Sequence, residues 1–114
     1  VSITGGESAR AVYQGKPTLA QAKLAFFNLG QVSLELIEPM GGDSVWQQVL
    51  DEKGEGVHHI AFHVKATDQV TDYLAEHDIP VSQQGHYPGG MYTYVDSESQ
   101  LSVMLELLEN FDES

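Results

Sequence analysis

The pentapeptide Leu34-Glu35-Leu36-Ile37-Glu38 returns almost unchanged as Leu105-Glu106-Leu107-Leu108-Glu109. Each copy sets one carboxylate between apolar neighbours. Strand side chains alternate between faces, so Glu35 and Glu106 point away from the Leu residues beside them. A lone carboxylate turned into a sheet interior is costly unless it is paired, hydrogen-bonded or bound to a metal. Two such carboxylates in a chain of 114 residues suggest an internal duplication in which two similar modules share one site. The alternative is a chance match between two Leu- and Glu-rich strands.

A chain of this length normally makes one domain. Its apolar content, 41%, suits a packed core rather than disorder. No apolar run approaches the roughly 20 residues of a membrane span, and no basic-then-apolar leader opens the chain. There is no cysteine, hence no disulfide framework and no thiolate ligand or nucleophile. A cytoplasmic location is expected, although a first residue other than Met leaves a processed or trimmed start open. The net charge of −12, with only Arg10, Lys16, Lys23, Lys53 and Lys65 positive, argues against nucleic acid and anionic membranes as partners. It also weighs against ligands carrying several phosphates.

Periodicity gives an α+β pattern. Lys23–Leu29 and Val32–Ile37 read as strands joined by a tight turn at Gly30-Gln31. Asp43 or Ser44 can cap a short helix through Val45, Trp46, Val49 and Leu50, with Gly54 just past its end. Gly54-Glu55-Gly56 reads as a joint. After it, His58–Lys65 alternates as a strand, with Ile60, Phe62 and Val64 on one face and His59, Ala61 and His63 on the other. His58 should point away from His59 and be structural. Thr67 is placed to cap a helix striped by Val70, Tyr73, Leu74 and His77, which Pro80 stops. Strands follow at Val81–His86, Met91–Val95 and Leu101–Leu108, so the second half reads β-α-β-β-β.

The two Glu positions, 35 and 106, set the interval of the repeat. At that interval an equivalent of His59 falls before residue 1, so the first half shows the later strands of a module without its opening strand and helix. Either the natural chain begins earlier or that segment has been lost. Loss would leave a sheet edge and an apolar face exposed, and proteins usually cover such surfaces with a partner. A homodimer is therefore expected.

Gly54-Glu55-Gly56-Val57-His58-His59-Ile60-Ala61-Phe62, followed by a helix and a strand containing Met104-Leu105-Glu106-Leu107, resembles the vicinal oxygen chelate superfamily. Its methylmalonyl-CoA epimerase and glyoxalase I members are the most similar. Leu24–Pro39 followed by Gly42-Asp43-Ser44 resembles the end of their first module and the linker after it. The resemblance implies paired βαβββ modules whose curled mixed sheets enclose one divalent metal ion. One glyoxalase-like domain over 1–114 would then comprise a partial first module and linker helix (1–53), a complete second module (54–110) and a tail (111–114). The implied metal ligands are His59, Glu106 and Glu35, although some epimerases place another residue at the third position. The family's fourth ligand is a His on the first module's opening strand, which has no counterpart here.

The residue types make chemical sense on their own. One imidazole and two carboxylates form a hard, oxygen-rich set suited to Zn, Co, Ni, Mn or Mg. Such an ion can hold two neighbouring substrate oxygens and stabilise an enolate or enediolate. Glu35 or Glu106 could then move the proton on the adjacent carbon. Glu7, the only carboxylate in the opening stretch, has no matched role. His63, Tyr94 and His86 are candidates to border a substrate pocket, with cross-strand packing as the plainer reading; His59 could equally be a hydrogen-bonded core histidine. Two function classes follow. One is a metal-dependent isomerase or lyase acting on a small oxo substrate or acyl thioester. The other is a resistance-type binding protein that encloses a small molecule without reacting with it. The acidic surface disfavours coenzyme A and glutathione conjugates, and Asp96–Gln100 lacks the glycine-rich approach of the epimerases. Ring-opening oxygenase chemistry is a weaker third reading at this length.

Overall fold

The computed structural model describes residues 1–111, in which nine strands form two sheets with three α-helices beside them. The architecture is α+β. In the first sheet β4 (Gln21–Asn28) is flanked by β1 (Ser2–Gly5) and β5 (Ser33–Pro39), all antiparallel. The turn between β4 and β5 closes through Gly30, whose φ of 98° suits glycine and whose N–H donates to Asn28 Oδ1 at 2.9 Å.

The second sheet has six strands. Its members are β2 (Ala11–Tyr13), β3 (Lys16–Thr18), β6 (His59–His63), β7 (Val81–Tyr87), β8 (Gly90–Val95) and β9 (Met104–Asn110), in the order β3-β2-β7-β8-β9-β6. Among the described strands only β6 and β9 pair in parallel. A parallel neighbour needs a crossover connection, and the run from β6 to β9 carries α2 (Thr67–Ala75) and the β7–β8 hairpin on the way. The β2–β3 hairpin comes from the first half of the chain yet lies on β7, through Val12↔Gln84 and Tyr13↔Gln83. Residues 1–20 carried no expected strand.

The core lies between the sheets under α1 (Val45–Lys53). Ser44 Oγ accepts the Gln47 N–H at 3.1 Å, and the Gly54 N–H donates to Leu50 O at 2.9 Å, so both ends of α1 are capped. Val45, Trp46 and Val49 pack on Ala20, Ala22, Tyr92, Tyr94 and Met104. Gln83 is fully buried among them. Its Oε1 accepts the Val45 N–H at 2.8 Å, and its Nε2 donates to the Tyr92 hydroxyl at 2.9 Å. These two bonds satisfy a polar side chain that would be expensive to bury otherwise.

Three expectations are corrected. Thr67 does not cap α2, because Ala66 occupies the cap position. Glu109 instead reaches across from β9 and accepts both the backbone N–H (3.1 Å) and the hydroxyl (2.6 Å) of Thr67. The expected stripe on α2 fails at Tyr73 and His77. The helix ends at Ala75, and Tyr73 is 61% exposed, stacked on the His77 ring at 4.5 Å. The last strand begins at Met104 rather than Leu101, because α3 (Glu98–Leu101) precedes it. Ser97 holds that junction, donating to Val103 O at 2.7 Å and accepting from Leu105 N at 3.0 Å.

On the outer face of the first sheet Phe27 pairs with Leu34 and Ala25 with Leu36, and Phe27, Leu34 and Leu36 are all exposed. Among the described residues no strand pairs with the second edge of β5. None of the described helices is long and apolar enough to cross a membrane.

Candidate metal centre

Strand alternation brings three donors to one place. On β5, Ser33, Glu35 and Ile37 share the face that looks toward the second sheet, and Glu35 faces Phe26 in the register with β4. On β9, Glu106 shares a face with Met104 and Leu108, opposite Tyr94 of β8. His59 opens β6, the parallel neighbour of β9. Its Nε2 lies 3.0 Å from Glu106 Oε1 and 3.3 Å from Glu35 Oε1. The three donor atoms all lie within 4.8 Å of one another. The His59 and Glu106 side chains are each 9% exposed and Glu35 is 20% exposed, so the cluster is sheltered but open on the Glu35 side.

The electrostatics favour a cation here. Burial pulls the His59 imidazolium down, but hydrogen bonds to Glu106 and Glu35 and their charges outweigh it and raise the ring to about 9. The neighbouring His58 moves the other way, to about 4, because burial disfavours its charged form and His59 repels it. Burial drives the Tyr94 hydroxyl well above its ordinary value, with the Glu106 charge adding to it.

The expected site residues divide. Glu35, His59 and Glu106 come together. His63, at the far end of β6 on the His59 face, is exposed and roughly 13 Å along the strand from His59. Tyr94 is only 3% exposed: its ring sits edge-on to both His58 and His59, and its hydroxyl accepts from Trp46 Nε1 at 3.0 Å, so it supports the cluster from beneath. His86 lies on the face of β7 opposite Gly85 and Gly85's partner Tyr92, with Nδ1 3.2 Å from Ala9 O, and therefore looks away from the cluster. Glu7 stands exposed on a 3₁₀ turn outside the cluster.

His58 is also corrected. It precedes β6, so strand alternation does not turn it away. Its Nδ1 lies 2.9 Å from His59 Nδ1 and its Nε2 3.3 Å from Val45 O. The doubled histidine was the available signal. Phe26, across from Glu35 and 59% exposed, was also missed; its place in the alternation of Leu24, Phe26 and Asn28 could have marked it.

An imidazole nitrogen and two carboxylate oxygens gathered from two sheets can hold a divalent cation, and the set fits a hard or borderline ion. The two sheets of this α+β fold thus bring together a Glu-His-Glu group that could hold a metal ion. A sequence model of the glyoxalase/bleomycin resistance protein/dioxygenase superfamily matches residues 3–95. The uncharacterized protein YqjC of Bacillus subtilis (strain 168) is 32% identical, over 96% of this chain and 87% of its own length. The crystal structure of hypothetical protein BH1468 from Bacillus halodurans C-125 superposes with a TM-score of 0.62, covering 82% of this chain and 70% of that one at 24% identity. The chain belongs to the glyoxalase/bleomycin resistance protein/dioxygenase superfamily.

Proposed function

We propose that this chain is a divalent-metal-dependent isomerase or lyase acting on a small oxo substrate through an enolate or enediolate. The observation that carries the reading is the convergence of His59 Nε2, Glu35 Oε1 and Glu106 Oε1 within 4.8 Å. When bound, the ion would supply Lewis-acid stabilisation of charge on two adjacent substrate oxygens. His59 and Glu106, the more buried pair, would anchor it. Glu35 is the more open carboxylate and is suited to take a proton from the substrate carbon and return it. Phe26 beside it offers an apolar wall, and Tyr94 beneath closes the floor to water. The net charge of −12 favours an uncharged or cationic substrate over one carrying several phosphates. A homodimer belongs to the same reading, supported by the exposed Phe27, Leu34 and Leu36 and by the edge of β5 that pairs with no other described strand.

Metal analysis of protein purified without chelators tests the reading, with His59→Ala and Glu106→Gln as controls. One ion per chain, lost in both variants, is expected; a metal-free native protein that takes up no added ion would instead favour the binding protein. Solvent-deuterium incorporation into hemithioacetals or acyl thioesters then tests the chemistry, and Glu35→Gln should abolish exchange while retaining most of the metal.

A further inference from the structure

We propose that His58 is a positioning residue that fixes which nitrogen of the neutral His59 ring faces the two carboxylates, by accepting the Nδ1 proton of His59 so that the neutral, metal-binding form presents Nε2 bare. The proposal rests on the metal-binding reading for its affinity readout only; the order of the hydrogen bonds stands apart from it.

The two Nδ1 atoms are 2.9 Å apart, a hydrogen-bond distance that requires one proton between them. The other contact of His58 decides whose proton it is. Val45 O, 3.3 Å from His58 Nε2, is a carbonyl and can only accept, so Nε2 carries a hydrogen. Among the described residues no carboxylate lies within ion-pair distance of His58 to hold a second proton. A ring with one proton, already on Nε2, can only accept at Nδ1. His59 is therefore the donor at Nδ1. In its neutral form its remaining nitrogen, Nε2, is a lone pair aimed at Glu106 and Glu35.

That order matters because the opposite one would be comfortable and useless. A neutral His59 with its proton on Nε2 would donate to the carboxylates and fill the space an ion needs. His58 can enforce the choice because its own anchor is rigid. Val45 is fully buried at the start of α1, its N–H bonded to Gln83 at 2.8 Å. The His58 ring is T-shaped against both His59 (5.1 Å) and Tyr94 (5.3 Å), and Tyr94 is pinned by Trp46. The backbone of α1 thus sets the orientation of His59 through one intermediary. Partners on the non-coordinating nitrogen of a metal-binding His orient the ring and raise its basicity.

Two substitutions separate this role from simple packing. His58→Phe keeps a ring against Tyr94 and removes both nitrogens. His58→Asn removes the ring but can restore an acceptor where Nδ1 stood. Zinc titration of the whole chain should show binding weakened about 10- to 100-fold in His58→Phe and largely restored in His58→Asn. Equal affinity in wild type and His58→Phe, or no restoration in a folded His58→Asn, would overturn the proposal. Nitrogen-15 NMR of the metal-free wild type gives an independent readout. We expect a scalar coupling between the two Nδ1 atoms across the hydrogen bond, with the single proton of His58 on Nε2. A proton on His58 Nδ1, or no coupling, refutes the proposal. If the wild type binds no zinc, the metal reading fails and the coupling alone decides. If His58→Phe does not fold, His58→Asn and the wild-type spectrum still do.

Discussion

Metal and proton should compete for the same nitrogen of His59, and the size of the competition follows from the geometry. In the metal-free protein Glu106 and Glu35 hold the ring protonated up to about pH 9. At pH 7 that leaves only about one ring in a hundred neutral, so apparent metal affinity should be about 100-fold weaker than at high pH, or about 3 kcal/mol. Affinity should rise about tenfold per pH unit between pH 6.5 and 8.5 and flatten near 9. Isothermal titration calorimetry in buffers of different ionisation enthalpy measures both quantities together. Close to one proton should be released from this ring per ion bound at pH 7. Replacing one carboxylate, as in Glu35→Gln, removes a negative charge that favours the protonated ring, so the slope should level off at a lower pH. An affinity flat across this range, with no proton released, would refute the account of the cluster as a cation site shared by proton and metal.

Stability of the metal-free chain should depend on pH through the two histidines in opposite senses. His59 is raised from 6.5 to about 9, so its contribution is complete below pH 6.5 and lost as pH rises through 9. His58 is lowered from 6.5 to about 4, so its contribution is complete above pH 6.5 and lost as pH falls toward 4. Thermal melts of wild type against a His58→Gln/His59→Gln double variant should differ most near pH 6.5, and a difference that does not vary with pH would count against these assignments. Gln83→Leu strands the Val45 N–H and the Tyr92 hydroxyl. Urea unfolding should show a loss of about 1–3 kcal/mol for each stranded group, and a neutral result would mean that neither bond matters. Gly85→Ala places a methyl 2.6 Å from the Tyr92 hydroxyl oxygen and 2.7 Å from its ring. It should cost about 1–3 kcal/mol by overpacking, and an unchanged unfolding midpoint would show that Tyr92 moves freely.

The part of the fold legible in the sequence is the part written in strong local signals. The β4–β5 pair shows in its alternation and in Gly30, and α1 shows in Ser44, its apolar positions and Gly54. The repeated Leu-Glu-Leu pattern places Glu35 and Glu106 on equivalent faces, and the alternation after Gly56 sends His59 toward them. What escaped depended on distant partners. The strands β2 and β3 are three residues each and exist because β7 offers an edge to Val12 and Tyr13. Thr67 is satisfied from forty-two positions away by Glu109, which no local capping rule foresees. Residue type alone does not place Tyr94 and His86, since burial under α1 decides the first and strand parity the second. Strand parity does not reach His58, which lies one residue before the strand.

The hairpin of β2 and β3 on the edge of β7 stitches the beginning of the chain to its later half. Neither half can then be excised or exchanged as a cassette without tearing open the other's backbone bonds. Melting should be a single cooperative event. Folding should wait on that remote seam, since contacts so far apart in sequence form late and slowly.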